Sequence, residues 1–440
     1  MKCAVIVPVG PGHEEAFGVC RNTIELAWAH GQGPFDGLEI LPMWDLEGRY
    51  GRSARRNDGI DLAREKGCEW IFFLDADDLL NAPAFADFAK YHEHYDAVWG
   101  NICENIYGTL DASIRKGQLP ETTRIEDILR YDPYLTLQMG HFVRTECAAA
   151  VKFDTEMNAG EDFKYYLGLW ERFRCAKVQQ IFFINRRGHH SSGPRGADAD
   201  MWRNAVQRII RDHCAARELV CDVMHDDKTA KFLIADPFDT IQAHHGHGKF
   251  FEIKELVALR SMLGRNKTIV EVGANVGNHL VFYAQHMNAR KIFPFEPNPD
   301  AVRLLNRNIE MNGLEDLIDG RGIGIGAGAQ YGRFAVELAH EHNLGAARLS
   351  DSAGGELEVR PLDEMLKGEK VDFMKIDVEG MEFDVLEGAN ELIAVNKPML
   401  MVEVFNEKAD RFRNWCAEHG YSVVTAFPCV NAINFVAMAA

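Results

Sequence analysis

The chain has 440 residues, and 66 Asp plus Glu against 48 Lys plus Arg give it a formal charge of -18 with the histidines neutral. A surface of that sign repels phosphate backbones and excludes a general nucleic-acid binder. With 47% hydrophobic and 26% charged residues the composition is that of a folded protein. A prior of ~150 residues per domain predicts about three domains, which the patterning reduces to two. Ten cysteines without a CxxC pair argue against a disulfide scaffold or a zinc ribbon and fit reduced thiols in a cytoplasm. The opening MKCAVIVPVG is too short an apolar stretch for a signal peptide. No run of roughly 18 apolar residues occurs, so a soluble protein without a transmembrane segment is expected.

In chain order, the apolar runs Cys3 to Val9, Leu38 to Met43 and Trp70 to Leu74 read as short strands separated by helix-length segments, which predicts an α/β sheet. Phe85, Phe88, Tyr91 and Tyr95 recur at helical spacing over 84–95, and Trp202, Val206, Ile209 and Ile210 do the same further on, so both sets are expected in the core. The pattern then breaks into the polar stretch ARELVCDVMHDDKTAK, which puts a boundary near residue 220 and divides the chain into domains 1–220 and 221–440. A second α/β series follows, with strands over 268–272, 291–295, 371–376 and 399–404. A helix over Ala301 to Met311 is stopped by Asn312-Gly313. No internal repeat is visible, so two different modules are joined.

In WIFFLDADDLL a buried strand delivers Asp75, Asp77 and Asp78 where it ends. Clustered carboxylates repel unless a cation lies between them, and Mg²⁺ or Mn²⁺ shared with a diphosphate meets that need. A helix N-terminal cap on a solvated loop is the plainer alternative. Further segments follow in order: VIVPVG with Pro8, Asp45 after LEILPMW, GRSARRNDGI with Arg52 and Arg56, then GEDFKYYLGL and RRGHHSSG. With these, residues 1 to about 200 resemble the family 2 glycosyltransferases of GT-A fold. The resemblance implies a UDP- or GDP-linked sugar donor, with Asp45 meeting the nucleobase and Asp77, Asp75 and Asp78 forming the DxD metal site. It further implies His189 and His190 in a loop that closes on the donor, where an imidazole would complete the metal shell or bind the diphosphate. Arg52 and Arg56 would meet the diphosphate, and Asp162, with Glu161 second, would be the base for inversion. The acidic segment MWDLEGRYG departs from the usual Asp-Asp-Gly-Ser-like turn, which leaves base and donor preference open.

In the second half, KTIVEVGANVGNHLVFYA runs from a β-branched strand into a glycine turn and a helix, where backbone and free N–H groups lie open to a ligand. Glu296 ends the next strand about 20 residues on, a distance that suits a carboxylate on ribose hydroxyls. VEVGANVGN, FEPNP, RPLDEML, KIDVEGMEFDVLEGA and KPMLMVEV together resemble the FkbM family of S-adenosylmethionine-dependent methyltransferases, over about 230–440. The resemblance implies a Rossmann-like class I fold and O-methylation, with cofactor contacts at Glu271, Gly273, Asn275, Gly277, Asn278, Glu296 and Asp377. Asp377 and Glu379 are the candidates for base or acceptor-orienting group, with Lys375 holding one of them, although both also suit a helix cap near Met381. His244, His245 and His247 in QAHHGHGKF suggest a lid over the cofactor or a surface loop more than a metal site, since a Gly-spaced triplet does not readily aim three rings at one ion.

Taken whole, the chain reads as a bifunctional enzyme that adds a sugar and O-methylates a sugar hydroxyl. Its acceptor would be a glycan, glycolipid or glycosylated small molecule in surface polysaccharide or natural-product synthesis. In the alternative, the first half is a non-catalytic glycan-binding module serving an active methyltransferase. Oligomeric state is not legible in the sequence.

Overall fold

The apolar runs of the first half form six strands: β1 (Lys2–Val9), β2 (Gly37–Trp44), β3 (Trp70–Phe73), β4 (Ala97–Trp99), β5 (His141–Arg144) and β6 (Cys175–Lys177). They lie in the order β2-β1-β3-β5-β4-β6. β1 is parallel to β2 and β3, while β5 runs antiparallel to both its neighbours. The crossovers between the parallel strands are α1 (Glu14–His30) and α2 (Gly51–Glu65). α2 approaches β1 closely because Gly59 has no side chain; a Cβ there would lie 2.5 Å from Cγ2 of Ile6. Further on stand α3 (Glu161–Arg172) and α4 (Ala199–Arg217). In this computed structural model residues 1–106, 109, 111–187, 199–338, 347–351 and 355–440 are described, and contacts divide the chain into two units, Met1–Asp212 and His213–Ala440.

An aromatic cluster fills the core of the first unit. The ring of Phe142 on β5 stacks on Phe88 at 4.0 Å and meets Phe72 edge-on at 4.6 Å and Phe182 at 5.2 Å. Phe85 and Phe88 are buried and Tyr91 and Tyr95 pack against the same cluster, so the helical spacing places all four rings together. The helix itself covers only Ala84–Phe88. Beyond it the chain continues as turns, with Tyr91 N donating to Phe88 O at three-residue spacing. Burial of the rings is thus met without the full hydrogen-bond ladder.

The second unit carries β7 (Thr268–Val272), β8 (Lys291–Phe295), β9 (Phe373–Ile376), β10 (Met399–Phe405), β11 (Tyr421–Pro428) and β12 (Ala432–Ala439) in the order β8-β7-β9-β10-β12-β11. The first four in that order are parallel, and β12 pairs antiparallel with β10 and β11. Its helices include α5 (Thr240–Gly246), α6 (Ile253–Leu263), α7 (Asn278–His286) and α8 (Pro299–Met311). Asn298 caps α8 by accepting from Asp300 N at 3.1 Å. A hairpin of Leu219–His225 with Lys228–Ile234 occupies the polar stretch where the sequence pattern breaks.

The register of the parallel strands sets up a site. Val272 is opposite both Phe295 and Ile376, and Ile376 is opposite Val402. The residues one step on, Glu296, Gly273, Asp377 and Glu403, therefore stand in one row across the sheet, and Glu403 is itself opposite Asn434 on β12. Neighbouring strands lie about 4.8 Å apart, so the row from Glu296 to Glu403 spans ~14 Å.

Because Phe142 is the ring to which the cluster is joined, Phe142→Ala should destabilise the first unit by about 3–5 kcal/mol. An earlier urea midpoint in its unfolding transition, followed by tryptophan fluorescence, is the expected reading.

Candidate functional site

Each unit has a cleft at the ends of its parallel strands, where an open α/β sheet binds ligands. In the first unit the cleft holds about 320 Å³, and Pro8, Asp45, Arg52, Arg56, Asp75, Asp77, Glu161 and Asp162 all line it. Asp45 reaches it because its N–H pairs with Val9 O at 2.9 Å, keeping β2 in register with β1 to the strand end. The Asp45 carboxylate takes the backbone N–H groups of Arg49, Tyr50 and Gly51 at 2.8–3.0 Å. Burial works against its charge, but these three donors hold its pKa below the usual carboxylate range.

Ion pairs with arginine organise the remaining acids. Arg56 donates to Asp75 at 2.6 Å, and Arg52 to the buried Glu161, also at 2.6 Å. The three DxDD carboxylates take different places. Asp77 lines the cleft, where burial and then the charge of Asp75 push its pKa up to about 6. Asp78 is 2% exposed and does not line the cleft; it accepts from Asn185 Nδ2 at 2.9 Å and from the backbone N–H of Arg186 at 3.0 Å. Burial, then Asp77 and Asp75, raise its pKa well above the ordinary value. His189 and His190 lie outside the described residues.

Asp162 opens α3 beside Glu161. Burial and the neighbouring Glu161 raise its pKa, and its Oδ1 accepts the indole N–H of Trp202 at 3.2 Å. Trp202 was expected only as core; it is buried, yet it lines the cleft as well. Helical spacing marks a residue for burial and carries no sign of what its polar tip meets.

In the second unit the cleft holds about 250 Å³ and is lined by the whole register row, Glu296, Gly273, Asp377 and Glu403, together with Asn275, Asn278, His279, Lys375, Glu379 and Glu252. Gly273 has φ +83°, and a Cβ on it would lie 1.8 Å from Asp377 O, so only glycine lets β7 turn there against β9. Gly277, at φ +84°, precedes α7. Glu296 accepts the backbone N–H of Asn275 at 2.8 Å and of Asn298 at 2.9 Å, which locks its carboxyl across the glycine turn. Burial lifts its pKa to about 7.

Lys375 and Glu271 are opposite each other two residues before the row. Lys375 Nζ donates to Asp377 Oδ2 at 2.7 Å. Burial disfavours the ammonium, but Asp377, Glu252 and Glu271 together keep it charged. Burial likewise opposes the charge on Asp377, and Lys375 overcomes it. The ionised Asp377 then pushes Glu403, which hydrogen-bonds to it, up to about 10, so that Glu403 is a neutral acid. Glu271 is fully buried without a hydrogen-bond partner on either oxygen, and burial raises it to about 8.

The three histidines of QAHHGHGKF diverge rather than converge. They sit in and just after α5, where His244 and His247 bond carbonyls of their own turn, from Thr240 and Ala243. His245 is buried, stacks on Phe232 at 3.7 Å and meets Asn278 Oδ1 at 2.9 Å. The Asn278 amide also joins the backbone of Phe251 in both directions, at 3.0 Å each way, so it fastens the 245–251 segment to the start of α7. Thr240 and Ile241, at the start of α5, line the cleft. Among the described residues, the one set of three or more His, Cys, Asp or Glu side chains with ligand atoms within 4.8 Å of one another is Glu252, Glu255 and Cys429.

Two family models match the chain, one within each unit. Residues 44–155 match the family model for glycosyl transferase family 2, and residues 271–423 match that for the methyltransferase FkbM domain. The methyltransferase sdnD of Sordaria araneosa is 26% identical over a 167-residue alignment, with 29% of this chain covered; the chain spans 62% of that relative's length. Among solved structures, TarS of S. aureus in complex with UDP-GlcNAc aligns with TM-score 0.37 and 17% identity over 49% of this chain and 66% of its own. A putative tRNA (m1A22) methyltransferase of Streptococcus pneumoniae, in complex with S-adenosyl-L-methionine, aligns with TM-score 0.30 and 16% identity over 42% and 72%. No helix of the described residues is long and apolar enough to cross a membrane.

Glu271 generates a pH prediction. Its folded pKa of about 8 exceeds its ordinary value of 4.5, so the folded state binds the extra proton. The corresponding stability is complete below the unfolded pKa and is lost as pH rises through the folded one. The melting temperature of the second unit should therefore fall between about pH 5 and about pH 9, and fall less in Glu271→Gln. Differential scanning calorimetry across that range tests it, and equal slopes for the two proteins would refute it.

Proposed function

We propose that this chain, a family 2 glycosyltransferase domain joined to an FkbM methyltransferase domain, transfers a sugar from a nucleotide sugar and O-methylates a sugar hydroxyl with S-adenosylmethionine. The observation that carries the reading is common to both units: acidic residues beyond the ends of parallel strands line a cleft, each set beside a fixed cation or a glycine turn.

In the first unit Asp77, with Asp75 beside it, suits a divalent cation, because an acid whose proton is retained through crowding and burial gives it up to a metal. Mn²⁺ or Mg²⁺ there supplies positive charge to a leaving diphosphate. Asp78 supports these two from behind, tying the DxDD turn to Asn185 and Arg186. Arg56 and Arg52 add permanent charge for the diphosphate oxygens. Asp45 and Pro8 line the nucleoside side, and His189 and His190 remain candidates for closing the donor site. Asp162 takes the proton of the acceptor hydroxyl from the face opposite the leaving group, giving inversion, and the Trp202 indole holds its carboxylate in place.

In the second unit Glu296 offers its remaining lone pairs to ribose hydroxyls, and Gly273 and Gly277 let the backbone approach the cofactor. Asp377, fixed by Lys375, and Glu379 orient the acceptor hydroxyl for in-line attack. The acceptor would be a glycan, glycolipid or glycosylated small molecule of polysaccharide biosynthesis in the cytoplasm. Covalent linkage raises the concentration of one domain's product near the other.

A thermal-shift panel on the full chain tests the reading with UDP, GDP, CMP and dTDP, each with and without Mn²⁺, and with S-adenosylhomocysteine. One nucleotide should give a metal-dependent shift that Asp77→Ala abolishes while the S-adenosylhomocysteine shift persists. Glu296→Ala should weaken S-adenosylhomocysteine by about tenfold or more and leave the nucleotide shift intact. A response to S-adenosylhomocysteine alone would reduce the first unit to a glycan-binding module.

A further inference from the structure

At the β10 side of the second cleft stands a carboxylate with an unusual setting. Glu252 precedes α6 with φ +53°, a left-handed conformation that an L side chain resists. Its side chain does not cap the helix. It is turned instead to His279, whose Nε2 lies 3.0 Å from Glu252 Oε2, and Oε1 accepts from Asn434 Nδ2 at 3.3 Å. Behind the imidazole, Nδ1 lies 3.7 Å from Oε1 of Glu271, an electrostatic contact too long for a hydrogen bond. Glu252 and His279 both line the cleft.

The register row decides which end of the cleft this is. Asn434 is opposite Glu403, so the carboxylate it holds belongs at the β10 and β12 end, three strands from Glu296. If Glu296 receives the ribose, the reacting end lies toward Glu252. Of the other carboxyls there, Asp377 is ion-paired with Lys375, while Glu403 and Glu255 are pushed toward their neutral forms, Glu255 hydrogen-bonding to Glu252 itself. Among the described residues, Glu255, Lys375, Asp377, Glu403, His279, Tyr283 and Cys429 are titratable groups that act on or respond to Glu252. Burial opposes its charge, and the hydrogen bond from His279 keeps it ionised.

Resting on the methyltransferase reading, we propose that Glu252 is the carboxylate that takes the proton of the acceptor hydroxyl, with His279 and Glu271 as positioning residues behind it. The hydroxyl O–H bond breaks and its proton passes to Glu252. The acceptor oxygen forms the new bond to the methyl carbon, and the carbon–sulfur electron pair of the sulfonium donor returns to sulfur as a neutral thioether. Neutral His279 donates Nε2–H to Glu252 throughout and so fixes the oxygen that faces the acceptor.

The test is calorimetric titration of the full chain with S-adenosylhomocysteine and with sinefungin, which carries an amino group at the position of the transferred methyl. A carboxylate opposite that position favours the ammonium. Wild type should bind sinefungin the more tightly, and the preference should fade in acid as Glu252 is protonated. In Glu252→Gln, S-adenosylhomocysteine affinity should stay within about twofold while the sinefungin preference drops about tenfold and loses its pH dependence. Glu252→Asp should recover part of the preference, and His279→Asn should lose part of it. An unchanged preference in Glu252→Gln overturns the proposal, as does an equal loss for both ligands, which would make Glu252 a cofactor contact. Failure of wild type to bind S-adenosylhomocysteine is a different result, and removes the methyltransferase reading itself.

Discussion

Parallel strands that end in register bring their terminal carboxylates within one or two strand spacings of each other, and charges so close in a poorly solvated cleft cannot all remain ionised without cations. Both units meet this crowding, the second through its register row and the first through acids that follow one strand or open α3. In the first, Asp75 and Glu161 stay paired with Arg56 and Arg52, while Asp77 and Asp78, beside one another, are pushed toward their protonated forms. In the second, a row of four strand ends carries three carboxyls, and one ammonium, Lys375, reaches Asp377 alone. Glu296 and Glu403 respond by holding protons.

The two solutions prepare different chemistry. Guanidinium groups remain charged under all conditions, so the first cleft keeps fixed positive charge beside displaceable acid protons, an arrangement that suits a diphosphate arriving with a divalent cation. The second cleft has one permanent cation, Lys375, among its lining residues. Its neutral acids donate as well as accept hydrogen bonds, and a cofactor bearing ribose hydroxyls and a sulfonium meets both kinds of partner there. A chain with net charge -18 thus confines most of its site chemistry to deciding which acids keep their protons.

Sequence pattern resolves this architecture as far as local regularities reach. The apolar runs at 268–272 and 291–295 became strands with those bounds, and the glycines of GANVG stand where the chain takes positive φ. The strand expected over 371–376 begins at Phe373; Asp372, just before it, bonds Thr268 O and Met399 N through its backbone and accepts Thr268 N on its carboxylate at 2.8 Å. Spacing placed Asp75, Asp77 and Asp78 at one strand end but could not tell that Asp78 turns to Asn185, 107 residues away, while Asp77 lines the cleft. Trp202 reaches Asp162, and Glu252 reaches His279 and Asn434, through tertiary contacts that leave no periodic trace. The histidine triplet does not aim its rings at one ion, as its glycine spacing implied: His244 and His247 bond their own turn while His245 is turned inward to Asn278.

Backbone strain follows the same division between local and tertiary causes. Lys397 takes a left-handed φ as a helix C-cap, and Asp226 does so in the tight turn of a hairpin, where such conformations are ordinary. Asn275, Glu252 and Glu379 are left-handed around a single cleft, and a glutamate gains nothing from that conformation locally. At about 1–3 kcal/mol each, the strain must be offset by the packing that surrounds it. For Glu252 the offset is visible in the bonds from His279 and Asn434, and the imidazole is in turn confined against Glu271. A side chain held so firmly in an unfavourable backbone position is pre-positioned, and it loses little further freedom when a ligand reaches it.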